Sequence, residues 1–148
     1  MENCIFCKIV NGEIPSVKIW EDKKYIAFLD IKPNTKGMTL VIPKKHFDSD
    51  IFDMPEKDAQ ELLAAARKVV KLLEKGLKVK RVAMVTEGME INHVHIKLYP
   101  IHGLDEKFKV MIAKEKIYFD KYLGYITTLE GPLKSKEELE KVAEEVRS

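Results

Sequence analysis

The segment His93-Val94-His95-Ile96-Lys97-Leu98-Tyr99 alternates polar and apolar residues with the period of a half-buried β-strand. On such a strand His93, His95 and Lys97 lie on one face, and the apolar residues between them point into the core. Side chains on the same face of a strand repeat about every 6.5 to 7 Å, so two imidazoles and one ammonium form a row. This row is suited to binding and attacking an anionic group, and phosphate is the first candidate.

The clustering of histidines supports a site, because two of the four histidines in the chain lie in this segment. An alternative interpretation is the solvated polar face of an edge strand, which gives the same alternation without any chemistry. The pattern alone leaves both interpretations open.

The length and composition of the chain restrict its class. We expect 148 residues to form a single domain over 1–148, with a core of about 1–100 and an extension of about 101–148. With 34% charged residues and a formal charge of +2, the composition predicts a soluble protein with no membrane or nucleic-acid partner. No signal peptide or long apolar run is visible, so we expect the cytoplasm. The dominance of Lys and Glu is typical of thermophiles.

Five strands are predicted before residue 100. Apolar runs at Trp20 and at residues 25–30 flank a short charged turn and predict a β-hairpin. Residues 38–42 predict a third strand that ends at Pro43. Residues 79–85 and 93–99 predict two more strands, joined by the loop 86–92.

Helix signals complete the predicted fold. Asp53 precedes Pro55 and Glu56 as an N-cap would, and a long apolar stripe then runs to Gly76, which predicts the helix end. A capping box at Ser135 predicts a C-terminal helix through Val146. The prediction is an α+β fold with a five-stranded, mainly antiparallel sheet, one long helix and a C-terminal helix.

The two cysteines of the chain, Cys4 and Cys7, are spaced so that both thiolates can bind one zinc ion from a single turn. Two histidines would complete a Cys₂His₂ site, and the candidates are His46, His93, His95 and His102. A redox pair and a pair of simple thiols near the N-terminus are the alternatives.

The chain resembles the histidine-triad (HIT) family of nucleotide hydrolases and transferases. The resemblance covers about residues 4–100 and rests on Cys4–Ser16, Ala27–Ile31, Gly37–His46 and His93-Val94-His95, with a weaker echo in 124–132. It implies a HIT-like fold. The family signature is His-φ-His-φ-His-φ-φ, where φ is apolar, and its middle histidine attacks the α-phosphate of a nucleotide.

The resemblance implies a role for each matching residue. His95 would be the nucleophile that forms a nucleotidyl-histidine intermediate, released by water as a nucleoside monophosphate. Asp30 would accept hydrogen bonds from the ribose hydroxyls, although its sequence context alone indicates a turn residue. Phe28 and Ile31 would line the base pocket. In the branch with paired cysteines, a structural zinc ion is bound at the positions matched by Cys4, Cys7, His46 and His93.

Three positions depart from the family pattern. Lys97 replaces the third signature histidine; its ammonium can neutralise a phosphate oxygen but is a poor proton shuttle near pH 7. Met38 replaces a histidine after Gly37. The loop 86–92 is shorter than the family's Gly-Gln-containing loop, with Met89 near the place of the glutamine. A cationic Lys97 would favour a leaving group that keeps its negative charge.

Two functions follow from the resemblance. The first is a hydrolase or nucleotidyl transferase acting on dinucleoside polyphosphates or nucleoside phosphoramidates, with His95 and Lys97 as catalytic residues. Its nucleotide-binding residues would be Phe28, Asp30, Ile31, Met89, His95 and Lys97. The second is a weakly active or inactive module that binds a purine nucleotide. A zinc-stabilised redox or adaptor protein is a third class, and the resemblance also implies a homodimer.

Overall fold

The computed structural model describes residues 4–127 and Ser135. The chain falls into two compact units, residues 1–108 and 109–148. The prediction of one domain over 1–148 stays a prediction. The predicted C-terminal helix lies outside the described residues, apart from its first position, Ser135.

The first unit is built on a five-stranded antiparallel sheet and one long helix, which confirms the predicted α+β fold. The helices and strands are α1 (Ile5–Val10), β1 (Lys18–Glu21), β2 (Tyr25–Leu29), β3 (Thr39–Pro43), α2 (Glu56–Leu77), β4 (Arg81–Val85) and β5 (Ile96–Ile101). The strand order in the sheet is β1-β2-β3-β5-β4. A single 3₁₀ turn, Ile51–Asp53, precedes α2.

The β1–β2 hairpin forms as predicted because its turn is closed by a side chain. The Asp22 carboxylate accepts hydrogen bonds from the backbone N–H groups of Lys24 and Tyr25, each at 2.8 Å. A carboxylate that bonds the backbone two and three residues ahead fixes a tight turn between two strands. The register that follows pairs Trp20 with Ala27.

Helix α2 covers one face of the sheet. Its apolar stripe includes Leu62, Ala66 and Val69, and it packs on Val94, Ile96 and Leu98 together with alternate residues of β2 and β3. The apolar side of the histidine segment therefore points into this core, as the alternation predicts.

The opposite face of the sheet is covered in part by α1, which the sequence analysis did not predict. Phe6 and Ile9 of α1 pack on Ile26, Phe28 and other apolar residues of β2 and β3. Six residues give too few turns for a helical period to stand out. The consequence is that the histidine face of the sheet is partly enclosed.

Both predicted ends of α2 are wrong. Asp53 lies in the 3₁₀ turn, and the helix begins at Glu56 with Pro55 as N-cap. The turn intervenes because Asp50, not Asp53, accepts a backbone hydrogen bond, from Phe52 at 2.9 Å. At the other end the helix continues through Gly76 because Leu77 packs on the core. Lys78, with φ of 55°, provides the left-handed cap.

The histidine segment also differs from prediction, since β5 begins at Ile96 and not at His93. The N–H of Val94 bonds to the Phe47 carbonyl at 3.0 Å, so this part of the chain pairs with the segment after β3 instead of continuing the ladder. Smaller shifts place β3 at Thr39–Pro43, which includes Pro43, and β4 at Arg81–Val85.

The second unit is described over residues 109–127 and Ser135, and this described part contains no helix or strand. The rings of Phe119 and Tyr125 meet edge to face at 5.7 Å. Among the residues that the structure describes, no helix is long and apolar enough to cross a membrane.

Candidate functional site

Four side chains from three separate segments converge beside α1. Cys4 and Cys7 come from the start of α1, His46 follows β3 and His93 precedes β5. Their sulfur and nitrogen atoms all lie within 4.8 Å of one another. We call these four residues the metal cluster.

The distances in the metal cluster fit a tetrahedral zinc site. His93 Nδ1 lies 3.4 Å from Cys4 Sγ, 3.6 Å from Cys7 Sγ and 3.2 Å from His46 Nδ1, and Cys7 Sγ lies 3.4 Å from His46 Nδ1. Zn–S bonds near 2.3 Å and Zn–N bonds near 2.0 Å give ligand–ligand separations of about 3.3 to 3.8 Å in a tetrahedron. The four residues therefore lie close enough together to hold a metal ion, as predicted, and their two thiols and two imidazoles are ligands that zinc prefers.

The ring of His93 is oriented for this role. Its Nε2 lies 2.9 Å from the Pro43 carbonyl and donates a hydrogen bond to it, so Nδ1 carries the lone pair that faces the cluster. Burial lowers the pKa of His93 to about 4, which keeps the ring neutral. A neutral imidazole fixed by a backbone acceptor is the form that binds a metal.

His95 follows two residues later, and its side chain is 2% exposed. Its Nδ1 donates a hydrogen bond to the backbone carbonyl of His93 at 2.7 Å, which leaves Nε2 unprotonated. The sequence did not identify this acceptor. Burial lowers the pKa of His95, the charge of Lys97 lowers it further, and the charges of Glu87 and Glu90 oppose this. The solvated edge-strand interpretation is therefore wrong: both histidines are buried, and β5 lies between β3 and β4.

Lys97 lies on the same face as His95, next to two carboxylates from the loop 86–92. Its Nζ is 3.7 Å from Glu87 Oε1 and 4.0 Å from Glu90 Oε2. The side chains of Lys97 and Glu87 are each 16% exposed, whereas that of Glu90 is 69% exposed. The cation that replaces the third histidine is thus paired with a half-buried carboxylate.

Asp30 lies just after the end of β2. Its Oδ1 accepts a hydrogen bond from the Lys32 N–H at 2.7 Å, and its own N–H bonds to the Met38 carbonyl at 3.0 Å. Burial raises the pKa of Tyr99, and the negative charges of Glu87 and Asp30 raise it further. Asp30 and Glu87 therefore act electrostatically on the same phenol of β5.

The remaining predicted residues differ in exposure. Phe28 is buried and pairs in register with Leu40, which pairs with Lys97, so the three form one row across the sheet. Met38 is buried directly before β3. Ile31 and Met89 are 89% and 70% exposed, and neither is packed into the site.

The sequence predicted none of Glu87, Glu90 and Tyr99 as site residues. Tyr99 does carry a local signal, because it follows Lys97 by two positions in β5 and therefore lies on the site face. Glu87 and Glu90 lie in the loop after β4, which ends at Val85, so no strand periodicity places them. Their approach to Lys97 follows from the pairing of Val85 with Lys97, which only the folded sheet provides.

Comparison with known proteins matches residues 11–102 to the HIT domain model. An uncharacterised HIT-like protein of Methanocaldococcus jannaschii is 43% identical over 102 residues, which are 66% of this chain and 78% of that protein. An adenosine 5'-monophosphoramidase of Saccharomyces cerevisiae is 37% identical over 125 residues, covering 80% of this chain and 75% of the yeast protein.

Solved structures agree with the sequence comparisons. A Streptococcus mutans protein of 32% identity superposes with a TM-score of 0.71 over 99% of this chain and 85% of its own. A zinc-bound histidine-triad protein of Mycobacterium smegmatis has 31% identity and a TM-score of 0.62, over 71% of this chain and 79% of its own. The second structure contains the metal that the ligand set of the metal cluster predicts.

Proposed function

This chain belongs to the histidine-triad (HIT) domain family, and we propose that it is a nucleotide hydrolase that acts through His95. The proposed substrates are nucleoside phosphoramidates or dinucleoside polyphosphates, cleaved at the α-phosphate. The observation that carries the proposal is the 2.7 Å hydrogen bond from His95 Nδ1 to the His93 carbonyl. It leaves a buried, unprotonated Nε2 to act as the nucleophile.

The reaction would proceed in two displacements. In the first, His95 Nε2 forms a bond to the α-phosphorus and the bond from phosphorus to the leaving group breaks. The electron pair goes to the leaving group, which departs as a nucleotide anion from a dinucleoside polyphosphate, or from a phosphoramidate as an amine that takes a proton from solvent. In the second, water attacks the same phosphorus, the N–P bond breaks and its electron pair returns to Nε2. The water gives up one proton, and the product is a nucleoside monophosphate.

Other residues would bind and orient the nucleotide. We propose that Lys97 contacts an α-phosphate oxygen and that the free lone pairs of the Asp30 carboxylate accept hydrogen bonds from the ribose. Phe28 lies in the row that contains Lys97 and would contribute to the base side of the pocket. The exposed Ile31 and Met89 would reach the nucleotide only from the rim.

The metal cluster would have a structural role. These four residues would hold a zinc ion that links the start of α1 to the segments after β3 and before β5. The side chain of His93 would be a ligand, and its carbonyl accepts the His95 hydrogen bond. The ligand set therefore helps fix the backbone that orients His95.

A relative supports the phosphoramidate class, because the yeast protein is named an adenosine 5'-monophosphoramidase. The alternative is a weakly active or inactive module that binds a purine nucleotide. It is favoured by one observation, the replacement of the third histidine by a lysine that is paired with Glu87. A homodimer and a cytoplasmic location also stay predictions.

The test is steady-state hydrolysis of adenosine phosphoramidate and diadenosine tetraphosphate by zinc-loaded protein, with AMP release as the readout. We expect His95→Ala to lower kcat/KM by at least about 10³-fold. His102→Ala is the matched control, since His102 is exposed and bonds only the Lys36 carbonyl among the contacts described for it. Binding of AMP without turnover in the wild type would favour the inactive module.

A further inference from the structure

Two carboxylates from the loop 86–92 lie beside Lys97 in the described part of the site. Glu87 Oε1 and Glu90 Oε2 lie 3.7 and 4.0 Å from Lys97 Nζ. By formal charge, Glu87 balances the Lys97 ammonium, and Glu90 adds a further negative charge that is much more exposed to solvent. Because the Lys97 and Glu87 side chains are each only 16% exposed, solvent screens their charges incompletely.

The loop that carries Glu87 is fixed in place by its neighbours. The Asn92 side chain accepts a hydrogen bond from the Ser49 N–H at 2.9 Å and donates one to Asp48 at 2.8 Å. Gly88 has φ of +69°, and a Cβ on it would lie 2.6 Å from the Ser49 carbonyl oxygen. A side chain at position 88 would clash with Ser49, so this position requires glycine. The close contact between Gly88 and Ser49 fixes the loop backbone next to Glu87.

We infer that Glu87 is a specificity-determining residue, which disfavours leaving groups that carry further phosphates and favours amine leaving groups. The inference rests on the proposed function and names the leaving-group class for the same site. It reverses the expectation drawn from Lys97 alone, because the ammonium is already paired with a carboxylate.

The physical basis is repulsion between like charges. An α-phosphate oxygen bound to Lys97 Nζ would be close to the Glu87 carboxylate, because Glu87 Oε1 lies only 3.7 Å from the same Nζ. In a dinucleoside polyphosphate the next phosphate is one P–O–P link further, and it brings additional negative charge close to Glu87. Like charges at a partly desolvated site are strongly unfavourable. An amine leaving group is neutral or cationic and avoids this cost.

The experiment compares two substrates in the full zinc-loaded chain. The readout is the kcat/KM for diadenosine tetraphosphate divided by the kcat/KM for adenosine phosphoramidate. We expect Glu87→Gln to raise this ratio on the order of tenfold, because it removes the charge but keeps the shape. Glu87→Ala is a second neutral variant, used if the glutamine variant does not fold.

Two control variants separate charge from structure. Glu87→Asp keeps the charge and is expected to hold the ratio within about threefold of the wild type. Glu90→Gln removes a charge that is 69% exposed, and we expect a change within about twofold. An unchanged ratio in Glu87→Gln, or an equal change in Glu87→Asp or Glu90→Gln, would overturn the inference.

A binding measurement keeps this inference distinct from the proposed function. If the wild type hydrolyses neither substrate, the proposed function fails, and the affinities for AMP and ATP then test Glu87 by calorimetry. Glu87→Gln should tighten ATP relative to AMP on the order of tenfold. Equal changes in both affinities would contradict the role of Glu87.

Discussion

His93 serves two parts of the site through three different atoms. Its Nδ1 faces the metal cluster, its Nε2 donates to the Pro43 carbonyl, and its own carbonyl accepts the hydrogen bond of His95. One residue thus links the metal ligands to the orientation of the proposed nucleophile. We expect changes at the metal cluster to affect His95 even though His95 is not a ligand.

Phe6 contacts both His93, a residue of the metal cluster, and His95, the proposed nucleophile. Its ring meets His93 and His95 edge to face, with ring centroids 5.7 and 5.2 Å apart, and it also packs on Phe28. We expect Phe6→Ala to lower the free energy of unfolding by about 3 kcal/mol, because a buried aromatic ring is lost and a cavity is left. Urea denaturation of zinc-loaded protein measures this.

The neighbouring Ile5 is a matched control for Phe6. It lies in the same helix but is 43% exposed, so we expect Ile5→Ala to cost less than about 1 kcal/mol. Equal losses in the two variants would show that the ring contacts of Phe6 do not stabilise the site.

Tyr25 connects β2 to α2 through its hydroxyl, and its raised pKa predicts that stability depends on pH. Burial raises the pKa of Tyr25 to about 12, with the nearby charges of Glu61 and Asp58 adding to the effect. Its hydroxyl lies 3.4 Å from the Asp58 carbonyl and 3.5 Å from Glu61 Oε2. An unfolded tyrosine ionises near pH 10, so the folded state holds the neutral form over a wider range.

This difference in pKa determines how the stability contribution of Tyr25 changes with pH. Below pH 10 both states are neutral and the stabilisation is fully present; it is lost as the pH rises from about 10 to 12, because only the unfolded chain ionises. The loss is at most about 3 kcal/mol, from two pKa units. We expect Tyr25→Phe to weaken this part of the alkaline transition in urea denaturation from pH 9 to 11.5. Identical pH profiles would contradict the assignment.

Sequence periodicity predicted the elements that are long or closed by a clear local signal. The β1–β2 turn has its Asp22 cap, and the α2 stripe repeats over several turns. Periodicity failed for α1, because six residues are too few, and for the start of β5, where His93 and His95 leave the ladder. As a result, the sequence did not predict that α1 covers the two histidines through Phe6.

The sequence predicted the site residues that lie in family motifs but not those that lie in the loop 86–92. The family resemblance supplied the four metal ligands, and these converge as expected. It did not supply Glu87 or Glu90, because the loop 86–92 departs from the family pattern and its path depends on the tertiary contacts of Gly88 and Asn92. Contacts between distant segments are not visible in a local pattern.

The metal cluster joins parts of the chain that are far apart in sequence. Cys4 and His93 are separated by 89 positions. A ligand that binds only the folded state stabilises it by mass action. We expect one zinc ion per chain, and we expect its removal by a chelator to lower the Tm by roughly 10 °C.

Two variants test that assignment. A Cys4→Ser/Cys7→Ser protein should contain no zinc and show no further shift with the chelator, whereas His102→Ala should behave as the wild type. Metal content by atomic emission and thermal unfolding are the readouts. Full zinc content in the serine variant would contradict the ligand set.

A covalent adduct on His95 would show directly that this side chain is the nucleophile. Zinc-loaded protein is mixed with excess adenosine phosphoramidate in a single turnover, quenched at alkaline pH to protect the phosphorus–nitrogen bond, and digested for mass spectrometry. We predict an added adenylyl group on the peptide that contains His95, lost in acid and absent from His95→Ala. AMP release with no adduct, or an adduct that persists in His95→Ala, would show that His95 is not the nucleophile.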